Sequence, residues 1–330
     1  MEKIKSFRKE IVSVDQSNFE AKTIELFKYQ AHHCPIYNKY LQFLKVNAIG
    51  VSKVTDIPFM PIEFFKHHPI QTASWKPQYH FESSGTTGSK RSRHLLDDLG
   101  FYLETARKSF EIQYGPLNKF HFMALLPSYH KNGHSSLITM IDHFISNSHS
   151  EISGYYLVNS KPLLQQIKAI GSNSKPAIMF GVAFALLDLA ENNKGLQFDN
   201  TLIMETGGMK GRRKEMIRLE LHSILKDAFG VDQIHSEYGM TEILSQCYST
   251  GNGIFTSPPW MKVLIRDPYD PFHILEPPVS GGINIIDLAN CHSCAFLETE
   301  DLGHVHADGS FQVLGRFDNS EVRGCNLMLV

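Results

Sequence analysis

Short apolar runs that alternate with amphipathic stretches restrict the fold of this sequence more than any other feature. The apolar runs have the length of buried strands and lie at residues 120–126, 155–158, 178–180 and 202–204. The amphipathic stretches predict helices and lie at residues 163–170, 183–189 and 216–229. The clearest apolar stripe belongs to the last of them and consists of Ile217, Leu221, Ile224, Leu225 and Ala228. Since strands that alternate with helices form mostly parallel sheets with covered faces, we predict an α/β fold with a doubly wound sheet.

The two ends of the sequence have a different pattern of apolar and polar residues. Residues 1–80 have a mostly helical pattern, interrupted where Pro58 and Pro61 force an extended segment. After about residue 250, Gly, Pro and Asp separate short alternating runs that are typical of antiparallel β-structure, at residues 282–286, 303–306 and 311–314. We predict one compact domain over residues 1–330. Its parts are a helical N-terminal segment (1–80), a nucleotide- and acyl-binding α/β part (81–250) and a β-rich part (251–330).

Charge and cysteine content argue against several classes of protein. The 32 Lys and Arg residues stand against 34 Asp and Glu residues, a net charge of −2, so nothing favours a nucleic-acid backbone as ligand. The 5 cysteines cannot all pair within the chain, which favours a reducing compartment. The most apolar stretch, residues 177–187, is shorter than the roughly 20 residues of a membrane-spanning helix. We therefore predict a cytoplasmic protein without a membrane span.

The strongest local signal is a loop rich in glycine and hydroxyl side chains. It consists of Ser83, Ser84, Gly85, Thr86, Thr87, Gly88, Ser89 and Lys90. Two glycines let the backbone take positive φ angles, and the hydroxyls together with exposed N–H groups can surround a polyphosphate. The loop is not a Walker A motif, because only two residues separate Gly85 from Gly88. From composition alone, a phosphate-binding loop and an ordinary polar turn both stay open.

Three further segments give this loop a context. The first is Tyr238-Gly239-Met240-Thr241-Glu242, which places a hydroxyl beside a carboxylate. The others are Asp301-Leu302-Gly303 with Gly315-Arg316-Phe317-Asp318, and Pro127, His130 and Gly133 after a predicted strand. In order and spacing, these segments and the loop resemble the motifs of the acyl-adenylate-forming superfamily. That superfamily includes acyl-CoA ligases, peptide-synthetase adenylation domains and luciferase-like enzymes, and the resemblance runs from about residue 80 to the C-terminus.

The resemblance implies a fold of the adenylate-forming N-terminal-domain type and a nucleotide site. The β- and γ-phosphates of ATP would be held by Ser83, Ser84, Gly85, Thr86, Thr87 and Gly88, with Lys90 nearby. The adenine would be lined by Gly207 and Gly208, with Tyr238. Met209, Gly239 and Met240 complete the implied nucleotide-binding positions.

The remaining implied roles concern the reacting groups. Thr241 would contact the α-phosphate and Glu242 would hold Mg²⁺, while Asp301 and Arg316 would bind the ribose hydroxyls. Asp318 matches the hinge position, and His130 would lie by the carboxylate pocket. Magnesium and backbone donors would neutralise the pyrophosphate that leaves when a carboxylate attacks the α-phosphate.

The sequence departs from full-length members of that superfamily after the hinge. Those members continue into a small lid domain with a catalytic Lys, which we expect to be absent here, so Lys66, Lys90 and Lys210 are the candidates for that role. Three features resemble the acyl-protein synthetase (LuxE-type) family. They are the expected absence of the lid domain, the loop without its usual Pro-Lys, and the segment Arg323-Gly324-Cys325. Residues 57–66 and 126–137 also resemble that family.

The LuxE-type resemblance implies that a fatty acid and ATP form acyl-AMP and that the acyl group moves to Cys325. An acyl reductase or a carrier protein would accept it next. Independently of the resemblance, a thiol beside Gly324 and Arg323 on a chain end can be reached and activated, although a free cysteine is more often a small buried hydrophobe. Two alternatives therefore stay open: an acyl-CoA or acyl-carrier-protein ligase with a structural Cys325, and a non-catalytic nucleotide-binding subunit.

A zinc site is the less favoured interpretation of a second cysteine motif. Cys291 and Cys294 have the spacing of metal ligands, and Cys247 could supply a third. No second Cys-x-x-Cys or paired histidine motif follows, and His130 and His134 lack the Glu of a zincin. A Gly-x-Ser-x-Gly elbow is missing as well, which leaves an esterase triad without an anchor.

Overall fold

The computed structural model describes residues 2–84, 90–127, 133–171, 174–193, 195–207 and 216–317. Its α-helices are α1 (Glu2–Glu10), α2 (Phe19–His33), α3 (Pro35–Phe43), α4 (Phe64–His67), α5 (Leu99–Tyr114), α6 (Ser136–Asn147), α7 (Lys161–Ala169), α8 (Ala183–Asn192) and α9 (Arg218–Phe229). Its strands up to the middle of the chain are β1 (Met60–Pro61), β2 (Tyr79–Glu82), β3 (Arg93–Leu96), β4 (His121–Leu125), β5 (Gly154–Tyr155), β6 (Ala177–Val182), β7 (Thr201–Thr206) and β8 (His235–Tyr238). The later strands are β9 (Cys247–Ser249), β10 (Ile254–Thr256), β11 (Met261–Arg266), β12 (Ile274–Leu275), β13 (Val279–Asp287), β14 (Phe296–Val305) and β15 (Phe311–Arg316).

The chain divides into two compact units. Unit 1 comprises Met1–Tyr102, Met240–Ser245 and Thr256–Val330, and unit 2 comprises Leu103–Gly239 and Gln246–Phe255. The domain boundaries that we infer from the sequence stay a prediction. None of the helices in the described part of the chain combines the length and the apolar character needed to cross a membrane.

Unit 2 contains the predicted doubly wound sheet. Its strand order is β5-β4-β6-β7-β8-β9-β10, with β4 to β8 parallel and β9 antiparallel to β8. The chain passes from β4 to β5 on one side and then, through α7, back past β4 to β6, so the winding direction reverses at β4. All residues of β6 are buried, as expected for a strand covered on both faces. The predicted α/β fold class is therefore confirmed.

Unit 1 combines the helical N-terminal segment with antiparallel β-structure, as predicted. The order of its larger set of strands is β12-β11-β13-β14-β15, all antiparallel, and β1 pairs with β14 in parallel. The strands β2 and β3 form a separate hairpin. The Phe296 ring of β14 contacts Phe27 of α2 and Tyr37 of α3, with ring centroids 5.7 and 6.1 Å apart. These aromatic contacts pack the helices of the N-terminal segment on the strands.

Two local predictions need correction. The apolar stripe expected on α9 is wrong in part, because Ile217 is 67% exposed and Ile224 is 36% exposed. The buried face instead holds Leu221, His222, Leu225 and Phe229, which repeat about every four residues. The strand predicted at residues 155–158 is also shorter than expected, since the structure has Gly154–Tyr155 there.

Candidate active site

The predicted adenine residues Gly207 and Tyr238 lie at the ends of two neighbouring parallel strands in unit 2. The strand β7 ends directly before Gly207, and β8 ends at Tyr238. The two strands are in register, with Thr206 opposite Glu237. In doubly wound sheets, ligands bind outside the carboxyl ends of the strands. The fold therefore brings these two residues to the edge where such a sheet binds its ligand.

The two described glycines of this edge have different local reasons to be glycine. Gly207 has a φ angle of +64°, which residues with a Cβ atom rarely adopt. A Cβ atom on Gly239 would lie 2.5 Å from Oε1 of Glu237, which is closer than van der Waals contact allows. The Tyr238 ring is 9% exposed, and its centroid lies 5.9 Å from that of Phe255. Gly208 and Met209 lie outside the described residues.

Two buried carboxylates next to this edge, Glu205 and Glu237, were not predicted from the sequence. Arg218 donates to Glu205 with an Nε–Oε1 distance of 3.0 Å, and Nε2 of His222 lies 3.5 Å from the same oxygen. Burial alone raises the pKa of Glu205, but these two partners lower it below its usual value. The Glu237 carboxylate accepts a hydrogen bond from Thr206, yet burial raises its pKa to about 7, helped by the charge of Glu205. The position of Glu237 directly before the motif Tyr238-Gly239-Met240-Thr241-Glu242 was the available signal.

In unit 1, the hairpin of β2 and β3 holds the root of the glycine- and hydroxyl-rich loop. The Ser83 N–H donates to the Ser92 carbonyl at 3.1 Å, and the Ser92 N–H donates to Oγ of Ser83 at 2.9 Å. These bonds fix Ser83 where the loop begins. Ser84 and Lys90 are exposed. The rest of the predicted phosphate loop, Gly85, Thr86, Thr87 and Gly88, lies outside the described residues.

Glu242 lies in a loop of unit 1 formed by Met240–Ser245. Burial raises the pKa of its carboxyl, while a hydrogen bond from the Ser92 side chain and the charges of Lys66 and Arg316 lower it. Ser92 therefore bonds Ser83 and lowers the pKa of Glu242, two residues that the sequence placed in separate motifs. Met240 and Thr241 are half-buried, and the Ile243 N–H donates to the Met240 carbonyl at 3.4 Å. Ser92 was missed because its role appears only when the hairpin closes.

The predicted ribose residues Asp301 and Arg316 face each other on β14 and β15. Nε of Arg316 lies 3.4 Å from Oδ1 of Asp301, and its NH2 group donates to Oε2 of Glu300 at 2.9 Å. Nζ of Lys66, on α4, lies 3.9 Å from the other oxygen of Glu300. The structure thus brings the ribose pair together and adds Lys66 and Glu300 to it. Lys210 and the hinge residue Asp318 lie outside the described residues, as do His130 and Cys325.

The described cysteines are buried free thiols: Cys34, Cys247, Cys291 and Cys294. The sulfur of Cys291 lies 3.9 Å from the Ile4 carbonyl, and that of Cys294 lies 3.6 Å from the Phe296 carbonyl. Burial raises the pKa of Cys291 to about 12, which disfavours the thiolate that a metal requires. Among the residues that the structure describes, no group of three or more His, Cys, Asp and Glu could hold a metal ion.

The residues around Glu242 fit the magnesium that the resemblance implies. In nucleotide sites, Mg²⁺ is held by one or two carboxylates together with substrate phosphates and water, rather than by a cage of protein ligands. Glu242 supplies one such carboxylate, and burial disfavours its negative charge. The charges of Lys66 and Arg316 leave the pKa of Glu242 above its usual value, so a cation beside the carboxyl would further favour its charged form.

The fold of this chain is similar to those of several solved structures. The structure is similar to an open conformation of 2-hydroxyisobutyryl-CoA ligase in complex with 2-HIB-AMP and CoA, with a TM-score of 0.66 and 12% identity over 92% of this chain and 70% of that one. It is also similar to the ATP-bound RpMatB-BxBclM chimera B3, with a TM-score of 0.52 and 17% identity over 74% of this chain and 50% of that one. For ATP-bound MatB from Rhodopseudomonas palustris the TM-score is 0.50 with 16% identity, over 82% of this chain and 51% of that one.

These identities show the shared fold alone, and the chain spans about half the length of the two MatB-type proteins. No curated protein matches the sequence. A model of the family "Acyl-protein synthetase, LuxE" matches residues 10–330. The match covers nearly the whole chain and confirms the resemblance found in the sequence. The chain therefore belongs to the acyl-protein synthetase, LuxE, family.

Proposed function

We propose that this chain is an ATP-dependent acid–thiol ligase, which activates a long-chain fatty acid as acyl-AMP and transfers the acyl group to Cys325. One observation carries the proposal. The Ser92 N–H donates to Ser83, and the Ser92 side chain lowers the pKa of Glu242, which belongs to a distant motif. The charges of Lys66 and Arg316 act on the same Glu242 carboxyl. A carboxylate, hydroxyl groups and two cations in one unit suit a magnesium nucleotide.

In the first step, a carboxylate oxygen of the fatty acid attacks the α-phosphorus of ATP. A new bond from the carboxylate oxygen to the α-phosphorus forms as the bond from the α-phosphorus to the bridging oxygen breaks, and pyrophosphate leaves. Magnesium, held by Glu242, would supply charge neutralisation for the phosphates. Ser83 and Lys90, at the two sides of the loop, would hold the β- and γ-phosphates, and Thr241 would orient the α-phosphate. Asp301 and Arg316 would fix the ribose so that attack and departure are in line.

In the second step, the Cys325 thiolate attacks the acyl carbon of acyl-AMP. A C–S bond forms, the bond to the phosphate oxygen breaks and AMP leaves, while the thiol proton passes to solvent. A mixed anhydride is a good acyl donor for a thiolate. A reducing cytoplasm would keep Cys325 as a thiol, and an acyl reductase or a carrier protein would take the thioester onward.

Intact-mass spectrometry tests this proposal. The protein is incubated with ATP, Mg²⁺ and tetradecanoic acid, with Cys325→Ala as the variant and Cys34→Ala as a matched control at a buried thiol. We expect an acyl adduct that hydroxylamine removes, present in the wild type and in Cys34→Ala and absent from Cys325→Ala. AMP release without an adduct would instead favour an external acceptor, coenzyme A or a carrier protein. Nucleotide binding without AMP release or fatty-acid-driven pyrophosphate–ATP exchange would favour a non-catalytic nucleotide-binding subunit.

A further inference from the structure

The cysteine motif that the sequence offers as a metal site has a different structural role. It belongs to a segment of unit 1, Asp287–Cys294, which follows β13 and contains the 3-10 turn Leu288–Asn290. The whole segment is buried, including its polar side chains. Buried polar groups are costly unless they are hydrogen-bonded, so the partners of this segment indicate what it does.

Two side chains of the Asp287–Cys294 segment bond the backbone of the Met240–Ser245 loop. Nδ2 of Asn290 donates to the Glu242 carbonyl at 2.8 Å. The Asp287 carboxylate accepts from the Leu244 N–H at 2.9 Å and from the Ser245 N–H at 3.1 Å, and the Ser245 hydroxyl donates to it at 2.7 Å. The segment thus fixes the loop on the C-terminal side of Glu242 and at Glu242 itself.

A third side chain, His94 of β3, bonds the residue before Glu242. Nδ1 of His94 lies 2.9 Å from the Thr241 carbonyl, and Nε2 lies 3.0 Å from Oγ of Ser293 in the same buried segment. Burial lowers the pKa of His94 to about 4, so the ring is neutral near pH 7. Because a carbonyl can only accept, Nδ1 carries the proton and Nε2 accepts from the Ser293 hydroxyl. The His292 ring stacks on that of His94 at an interplanar angle of 3° and holds its plane.

The carbonyls of Thr241 and Glu242 are therefore held by separate buried donors, His94 and Asn290. These two fixed peptide groups flank the Cα atom of Glu242, so they set its backbone angles and hence the direction of its carboxylate. They also fix the position of the Thr241 Cα atom, from which the hydroxyl side chain projects. A displacement of about 1 Å in such a group can reduce a reaction rate by roughly 100-fold. The donors bond the backbone of Thr241 and Glu242 and not their side chains, so their effect on the nucleotide site would pass through the backbone.

We propose that Asn290 and His94 are positioning residues of the adenylation site, which hold the Thr241 and Glu242 carbonyls and thereby direct the hydroxyl and the carboxylate toward the magnesium nucleotide. The proposal rests on the function proposed above. It also gives the Cys-His-Ser-Cys motif a purpose that needs no metal, because Ser293 and His292 keep His94 in the required tautomer and plane.

The test compares three variants with a matched control. Asn290→Ala and His94→Leu each remove one donor, His94→Asn restores a donor near the position of Nδ1, and Tyr37→Phe removes a buried hydrogen bond to the Pro58 carbonyl elsewhere in unit 1. Fatty-acid-dependent pyrophosphate–ATP exchange gives kcat and the KM for MgATP, a magnesium titration gives the half-saturating concentration, and thermal melting reports stability.

We expect Asn290→Ala and His94→Leu to lower kcat/KM for MgATP at least tenfold and to raise the half-saturating magnesium concentration. His94→Asn should recover most of the loss, and Tyr37→Phe should lose melting temperature without these kinetic changes. Equal kinetics in Asn290→Ala and Tyr37→Phe would overturn the proposal. The hydrogen bonds of Asn290 and His94 would then contribute only to the stability of the fold. If His94→Leu does not fold, Asn290→Ala and His94→Asn still decide the matter.

A different set of results would show that the proposed function itself is wrong. A wild-type protein that binds MgATP by calorimetry but catalyses no exchange would contradict the ligase activity. Positioning is then tested by the dissociation constant of MgATP, which must rise in Asn290→Ala and not in Tyr37→Phe. A wild type that binds no MgATP at all would overturn both proposals.

Discussion

The ammonium group of Lys66 lies 3.9 Å from one carboxylate oxygen of Glu300, and the other oxygen of Glu300 accepts a hydrogen bond from Arg316 at 2.9 Å. This arrangement links the short helix α4 with the strand pair that carries the predicted ribose residues. It places a second cation beside Arg316, and both cations act on the Glu242 carboxyl. Lys66, one of the candidates for the role of the lid-domain lysine, thus lies among predicted site residues.

We predict that Lys66→Ala lowers the rate of fatty-acid-dependent adenylation by roughly 10- to 100-fold, because a fixed cation next to the phosphates stabilises charge that develops in the transition state. The measurement is pyrophosphate–ATP exchange under saturating substrate. Lys22→Ala is the control, since Lys22 also forms ion pairs with glutamates of unit 1 but far along the chain from these motifs. An equal loss in both variants would contradict a role of Lys66 in catalysis.

Asp301 should determine how well the enzyme recognises the sugar of ATP. We predict that Asp301→Asn raises the KM for ATP by about tenfold and narrows the preference for ATP over 2′,3′-dideoxy-ATP, because hydrogen bonds to a charged acceptor are stronger than those to a neutral one. Stability should change little, since the Arg316 side chain that pairs with Asp301 is 71% exposed and such pairs contribute about 0–1 kcal/mol. If Asp301→Asn keeps the full preference for ATP over 2′,3′-dideoxy-ATP, the ribose does not bind at Asp301.

The doubly wound sheet was predictable because a strand that is buried on both faces has a continuous run of apolar residues in the sequence. The run at residues 178–180 is apolar without alternation, and it lies in β6, where every residue is buried. The face of α9 was less predictable, since an isoleucine at helical spacing does not reveal whether a neighbour covers it. Ile217 precedes the first helical residue and is exposed, while His222 takes a buried position.

The sequence predicts the candidate site as separate motifs and not as a network. Asp301 and Arg316 could be paired by resemblance, and the strands confirm that they are neighbours. His94 could not be foreseen, because it is 147 residues from Thr241 in sequence and its bond depends on the packing of a third segment. Local patterns record which face of an element is buried, whereas hydrogen bonds between distant segments follow from the complete tertiary structure.

A neutral substitution of Glu242 should have opposite effects on stability and on activity. We predict that Glu242→Gln abolishes most magnesium-dependent adenylation but raises the melting temperature, because burial raises the pKa of this carboxyl and its charged form therefore costs stability near pH 7. For a chain of 330 residues, a gain of 1 kcal/mol corresponds to roughly 1.4 °C. Exchange activity and thermal melting of one preparation give both quantities. Glu298→Gln, at another carboxyl whose pKa is raised by burial, should keep the activity. Full activity of Glu242→Gln would contradict its role as magnesium ligand.

The pH dependence of stability should contain a contribution from Glu237. Its folded-state pKa of about 7 lies above the ordinary value of 4.5, so the folded protein retains a proton that the unfolded chain releases between these two values. Stability therefore falls as pH rises from about 4.5 to 7 and levels off above that range. Glu237→Gln keeps an oxygen that can accept from Thr206 but carries no titrating proton.

We predict that the Gln variant matches the wild type near pH 4 and exceeds its stability at pH 8, by an amount on the order of 3 kcal/mol for the whole shift. Denaturant unfolding at both pH values measures the difference between the two proteins, in which the contributions of other buried carboxyls cancel. The neighbouring Glu205 is the group to check, because its charge helps to raise the pKa of Glu237. In Glu205→Gln, the stability curve should therefore level off at a lower pH than the wild-type curve does. Parallel curves for all three proteins would show that Glu237 titrates normally.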